Sequence, residues 1–168
     1  MIYFFTHKWL IVLDIIKKQT QEHILKRFSQ NDYKDKDNYI SILDVHNLKG
    51  GDNFATVLLN SNRLELIGSK VSTNTKDIKG NKFRKDFLDL VVSKGEGYSK
   101  YWYKKPSTDS PALKISYFYL QKDWNWIISS GFYYEDLETQ IAIMEELLHV
   151  QTSSIIDKTL SLVLILSL

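Results

Sequence analysis

The side chains best placed for chemistry are tyrosines on two neighbouring strand candidates, with two basic residues near them in the chain. In an extended segment alternate side chains share a face. Ser99, Tyr101 and Tyr103 therefore share one face of the segment 98–104, and Ile115, Tyr117 and Tyr119 share one face of the segment 113–120. Where those two faces coincide, three or four phenol hydroxyls line one hollow. A phenol donates a hydrogen bond from its hydroxyl while its ring excludes water, which suits a carboxylate. Arg63 and Lys114 are the candidate counter-charges, because a carboxylate removed from water needs a charged or hydrogen-bonding partner. Tyr101, Tyr103, Lys114, Tyr117 and Arg63 are the candidate binding residues on this reading. The alternative stays open: the rings can be ordinary core edges with wet hydroxyls, and Arg63, in a loop, can be a solvated charge.

Other chemistries find little support. The histidines at 7, 23, 46 and 149 lack the spacing of metal ligands, so no metal site is expected. Zero cysteine excludes disulfides, thiolate nucleophiles, Cys-ligated zinc and iron–sulfur clusters. Gly95 and Gly97 precede a strand instead of following one, which fails the pattern of a phosphate loop. No nucleophile motif such as GxSxG occurs. The basic cluster at Lys82, Arg84 and Lys85 is diluted by Asp86 and Asp89, and no nucleic-acid partner is expected. No cofactor is expected, and no set of groups points to an enzyme.

The chain has 168 residues, long enough for one domain with a real core. Its net charge of +2 is split unevenly: +3 over residues 1–36, +4 over 37–134 and −5 over 135–168. Twelve of the 22 aromatic residues fall between Tyr98 and Tyr134, so that stretch is built from rings.

The elements that must hold those rings follow from periodicity. Trp9, Leu13, Ile16, Ile24 and Phe28 fit a helix over 9–30, and Asn31–Asn38 form a polar loop. Tyr39–Val45 and Phe54–Leu59 are strand candidates joined through Gly50, Gly51 and Asp52. Residues 61–81 are polar and irregular. Phe83, Phe87, Leu88 and Val91 predict a short amphipathic helix stopped by Gly95. Tyr98–Lys104, Leu113–Leu120 and Trp126–Tyr133 are three further strands. From Glu135 the helical period returns, and Leu137, Ile141, Met144 and Leu148 make a short heptad-like seam. Residues 159–168 are uncharged and mostly aliphatic; ten such residues are too few to span a bilayer, which takes about 20. The run reads as the start of a membrane helix cut off by the chain end, or else as a core or dimer-buried tail. Met1–Ile16 is apolar, but His7, Lys8 and Asp14 interrupt it and it makes a poor signal peptide.

The expected fold is thus α+β: a PAS-like central antiparallel sheet of about five strands, flanked by a long N-terminal helix and a long C-terminal helix. The expected units are an N-terminal helix and loop (1–35), a sensor domain (36–137), a C-terminal signalling helix (138–158) and the start of a truncated transmembrane helix (159–168).

Three segments also carry a family resemblance. Gly95-Glu96-Gly97-Tyr98 with Tyr101-Trp102-Tyr103-Lys104-Lys105-Pro106 resembles the GxG-(F/Y)-x-x-Y-x-W-P-K-P stretch of single Cache domains. Lys114-Ile115-Ser116-Tyr117-Phe118 resembles their P-K-(I/L)-S-Y segment. Trp124-Asn125-Trp126-Ile127-Ile128, followed by Gly131-Phe132-Tyr133-Tyr134-Glu135-Asp136-Leu137, resembles their W-x-W-(V/I)-I-G-T-G-x-Y-x-D-D ending. Weaker matches lie at Leu66-Ile67-Gly68-Ser69 and from Asp77 through Gly80 to Phe83. The chain departs from the pattern where Asn60-Ser61 replace a common His-Pro pair, Ser129-Ser130 replace Gly-Thr, and Pro106 is displaced by one residue. The resemblance implies an extracytoplasmic small-molecule sensor domain of a bacterial chemoreceptor, sensor kinase or cyclic-dinucleotide enzyme. It implies a small organic acid as ligand, with any kinase or cyclase activity in an output domain; the apolar C-terminal run and the heptad-like seam add the expectations of a membrane link through the C-terminal helix and a homodimer. The competing expectation is an unliganded structural or dimerisation domain of a membrane protein.

Overall fold

The computed structural model describes residues 2–30, 37 and 39–166. The loop expected over 31–38, apart from Asp37, lies outside the described residues, as do the last two residues of the apolar tail. The order of elements is helix α1 (Ile2–Gln30), strands β1 (Tyr39–Val45), β2 (Ala55–Asn60) and β3 (Lys70–Val71), helix α2 (Phe83–Lys94), strands β4 (Glu96–Lys104), β5 (Pro111–Gln121) and β6 (Trp126–Tyr133), and helix α3 (Tyr134–Leu166). The six strands form one antiparallel sheet in the order β3-β2-β1-β6-β5-β4. This is the α+β, PAS-like plan with one strand more than the sequence suggests. The addition is β3, which lies in the stretch expected to be irregular. Two residues are too few to show a period of two, so its pairing with Ala55 and Thr56 leaves no pattern in the sequence.

The sheet separates two cores. On one face α2 lays Phe83, Phe87, Leu88 and Val91, spaced as one helical stripe, against Val45, Ala55, Phe118, Leu120 and Ile127. Phe87 stacks on Phe118 with ring centroids 4.3 Å apart. Gly95 ends this helix at φ +87°, a left-handed conformation that suits glycine, and its N–H is bonded to the Val91 carbonyl. On the other face the C-terminal part of α1 sets Ile24, Leu25 and Phe28 against Ile42, Leu59 and Trp126.

Helix α3 follows β6 without a break, and its first turn carries Glu135 and Asp136, acidic residues at the end that favours negative charge. Lys105, only 5% exposed, binds both of them and also faces Asp37 at 3.6 Å. Asp37 in turn accepts hydrogen bonds from the N–H and hydroxyl of Ser107. One buried cation thus ties together Asp37, two residues ahead of β1, the β4–β5 loop and the start of α3. The seam residues Leu137, Ile141, Met144 and Leu148 are exposed, and α3 continues through the apolar tail to Leu166. Among the described residues no helix is long and apolar enough to cross a membrane.

Candidate functional site

The register of the sheet decides which side chains meet. Tyr101 stands opposite Lys114, and Lys114 stands opposite Tyr133. Ser116 stands between Ser99 and Gly131, and Gly131 stands opposite Tyr39. Partners across a ladder share a face. The face of α2 therefore carries Tyr101, Tyr103, Lys114, Ser116, Ser129, Gly131, Tyr133, Tyr39 and Ser41. Helix α2 covers one end of it and leaves the other open. The result is a cleft of about 660 Å³, within the range of small-molecule sites, walled on its far side by Arg63, Leu66, Ile78 and Arg84.

Four of the five residues expected from the sequence line this cleft: Tyr101, Tyr103, Lys114 and Arg63. Tyr117 does not, and that expectation is corrected. It stands opposite Tyr98 in the ladder and faces away from the cleft. Its ring packs on Tyr98 at 5.0 Å, and its hydroxyl donates to Glu96 at 2.5 Å, which pushes the phenol up to about 12. The physical reason is the period of two: Lys114 and Tyr117 are three residues apart in one strand, so they point to opposite sides.

Within the cleft, aromatic packing fixes each polar group. Tyr101 is 8% exposed; it stacks on Phe83 with centroids 4.8 Å apart, and its hydroxyl lies 2.9 Å from that of Ser116. Burial drives its phenol well above the ordinary range. Tyr103 stands edge-on to both Tyr101 and Phe83. Tyr39 is also buried, which raises its phenol strongly. Gly131 lets β6 approach β5: a Cβ there would sit 2.3 Å from the Ile115 carbonyl oxygen and 2.2 Å from the Ser116 hydroxyl.

Lys114 is the charge at the floor. It is 2% exposed, and its ammonium lies 3.5 Å from the centre of the Tyr39 ring and 5.0 Å from that of Tyr133. Burial pulls it down to about 7, with Asp37 acting in the opposite direction. Among the described residues no carboxylate lies within ion-pair distance of it.

Arg84 is a residue the sequence reading left in a surface cluster. It is half-buried, its guanidinium lies over the Phe83 ring at 4.7 Å, and burial lowers it while the hydroxyls of Tyr103 and Tyr101 pull the other way. No carboxylate among the described residues pairs with it. A signal was available: Arg84 lies one helical turn before Leu88, which is fully buried, so helical spacing sets it on the inward flank of α2. Arg63 at the rim differs, since Glu65 pairs with it at 2.9 Å. Asp77 is the acid of the lining, and its oxygens are taken by the backbone N–H groups of Lys79, Asn81 and Trp102 and by the Asn81 amide. The cleft therefore presents two cations withdrawn from water, Lys114 and Arg84, without acidic partners among the described residues, beside a wall of phenols. Such an arrangement can accept an anion.

Comparison with known proteins places this geometry. A family model, dCache_2, described as a Cache domain, matches residues 1–138. A methyl-accepting chemotaxis protein of Pseudomonas putida, McpP, is 35% identical over 57 residues, which are 34% of this chain and 10% of that protein. The chain thus spans about a tenth of the curated relative it matches. Among solved structures, a Cache chemosensory domain described for carboxylic acid recognition is similar with a TM-score of 0.56 and 27% identity, over 70% of this chain and 73% of that one. The periplasmic sensor domain of a chemotaxis protein is similar with a TM-score of 0.57 and 21% identity, over 70% and 74%. A methyl-accepting chemotaxis protein from Vibrio parahaemolyticus has a TM-score of 0.55 and 19% identity, over 70% and 72%. These last two likenesses concern the fold. With a family model matched over residues 1–138 of 168, the chain belongs to the Cache domain family.

Proposed function

We propose that this Cache domain is the ligand-binding part of an extracytoplasmic chemosensory receptor and that its ligand is a small organic carboxylate held in the cleft. The observation that carries the reading is Lys114: an ammonium 2% exposed, cradled by the Tyr39 and Tyr133 rings and lacking an acidic partner among the described residues. A buried cation in that state is stabilised by an incoming anion, and the nearby Tyr101, Tyr103 and Tyr39 hydroxyls supply donors that fix the anion's orientation. The likeness to a Cache domain that recognises carboxylic acids supports the ligand class.

In the same reading α3 is the output. It begins directly after Tyr133, whose ring faces the Lys114 ammonium, so the cleft and the helix share a strand. The exposed seam of α3 suits pairing with a second copy, and its apolar end suits a membrane link. A ligand moves such a helix only by binding one of its positions more tightly than the other.

The test is thermal and chemical melting of the 168-residue chain against carboxylates of two to four carbons. A ligand at 100 times its dissociation constant adds about 2.7 kcal/mol of stability. No shift with any carboxylate overturns the ligand class, and a shift that survives Lys114→Gln overturns the site.

A further inference from the structure

We infer that the cleft selects a dicarboxylate over a monocarboxylate, with Lys114 and Arg84 as its two anchors and Arg84 as the residue that sets the preference. The inference rests on the reading of the cleft as a carboxylate site and adds the number of charges to it.

Each of the two cations adjoins the same aromatic cluster. Lys114 is the ladder partner of Tyr101, on the side of β5 and β6. Arg84 lies over Phe83, and Phe83 stacks on the same Tyr101 ring from the side of α2. Tyr103 stands edge-on to both stacked rings. Both cations line the same cleft, where a ligand with a carboxylate at each end can address one with each. The cavity of about 660 Å³ has room for it.

The two cations make different demands. A lysine can shed its proton and sit neutral in a buried site; an arginine stays charged at any accessible pH. One carboxylate at Lys114 therefore leaves the Arg84 charge half-buried and unmatched among the described residues, and one at Arg84 leaves Lys114 without a counter-charge. A ligand with two carboxylates satisfies both at once. The other cations of the lining do not share this need: Arg63 is paired with Glu65, Lys104 is paired with Asp109, and Lys70 and Lys76 are exposed to water. Arg84 also has the planar fork that fits a carboxylate through two hydrogen bonds.

The experiment is calorimetric titration of the 168-residue chain at pH 7 with succinate and with butyrate, four-carbon acids that differ by one carboxylate. Succinate is expected to bind at least tenfold more tightly. In Arg84→Gln the ratio of the two affinities falls to about one, and in Arg84→Lys it stays above threefold. Equal affinity for the two acids in the wild-type chain overturns the inference and leaves the carboxylate site standing. So does an Arg84→Gln chain that keeps the tenfold ratio. Binding of neither acid overturns the carboxylate site and this inference with it. The wild-type comparison needs no substituted chain to fold.

Discussion

Replacing Lys114 by methionine should make the unliganded domain's stability insensitive to pH where the wild type is not. Methionine keeps the length and apolar body of the side chain and removes the charge. The Lys114 ammonium falls from its ordinary 10.5 to about 7 in the fold, because burial disfavours its charged form. The gap of about 3.5 pH units corresponds to about 5 kcal/mol at about 1.36 kcal/mol per unit. The sign is that of a lowered lysine. Below pH 7 both states are charged and the native state bears the full cost. Between pH 7 and 10.5 the unfolded chain holds more protons, so stability rises with pH. From pH 7 to pH 9 the rise is about 2.3 kcal/mol. The Tyr39 ring, 3.5 Å from the ammonium, holds the charge by about 2 kcal/mol and reduces the rise to about 1 kcal/mol at the low end. The buried phenols of Tyr39, Tyr101 and Tyr133 are raised, so they lower stability as pH climbs above 10, outside this window. Urea unfolding of both chains at pH 6, 7, 8 and 9, taken as the difference, isolates Lys114. The wild type should gain 1–2 kcal/mol on Lys114→Met, to order of magnitude, between pH 7 and 9, and Lys114→Met should be the more stable chain at pH 6. Parallel curves, differing in slope by less than about 0.5 kcal/mol over that range, would refute a buried, unpaired ammonium.

The same titration predicts that carboxylate affinity falls towards tenfold per pH unit above pH 7, since a bound anion restores the Lys114 proton; calorimetry in a pH series reads it. Tyr117→Phe should leave carboxylate affinity unchanged within twofold by the same titration, because its hydroxyl is bonded to Glu96 on the opposite face. Gly131→Ala should cost about 1–3 kcal/mol in urea unfolding, because its new methyl meets the Ile115 carbonyl and the Ser116 backbone, and the backbone must move. Lys105→Met should cost about 1–2 kcal/mol in the same assay: it removes the cation shared by Asp37, Glu135 and Asp136, and water at the two half-exposed helix carboxylates limits the loss.

Much of the fold is legible in the chain because each element carries its own period. Phe83, Phe87, Leu88 and Val91 mark α2 and Gly95 marks its end, and the ring-rich strands β4, β5 and β6 alternate cleanly enough to be placed within about two residues. What stays hidden is non-local. Strand β3 consists of two residues whose only strand character is their pairing with β2. The sheet order, with β1 beside β6, joins residues that lie about 90 positions apart, and no local pattern encodes that neighbourhood.

The site shows the same division more sharply. Residue type alone marks Lys114 and the tyrosines as the groups able to hold a carboxylate, and parity alone forbids Lys114 and Tyr117 from lining one hollow together. Parity does not say which of the two belongs there. That depends on whether Tyr101 stands opposite Lys114 or is offset from it by one residue, and a one-residue slip moves every side chain of a strand to the other face. The 105–110 loop between β4 and β5 is too long to fix the register by its turn type, so packing decides: the observed register sets Phe118 on Phe87 and Leu120 in the core of α2. The slipped register would aim Tyr117 and Tyr119 at that core and expose Phe118 and Leu120, leaving phenol hydroxyls against Phe87 and Val91 where no partner exists. Lys114 is carried into the cleft by the same alternation. Its burial is thus a consequence of the apolar pair two and three steps further along its face, and its chemistry follows from the company that their packing gives it.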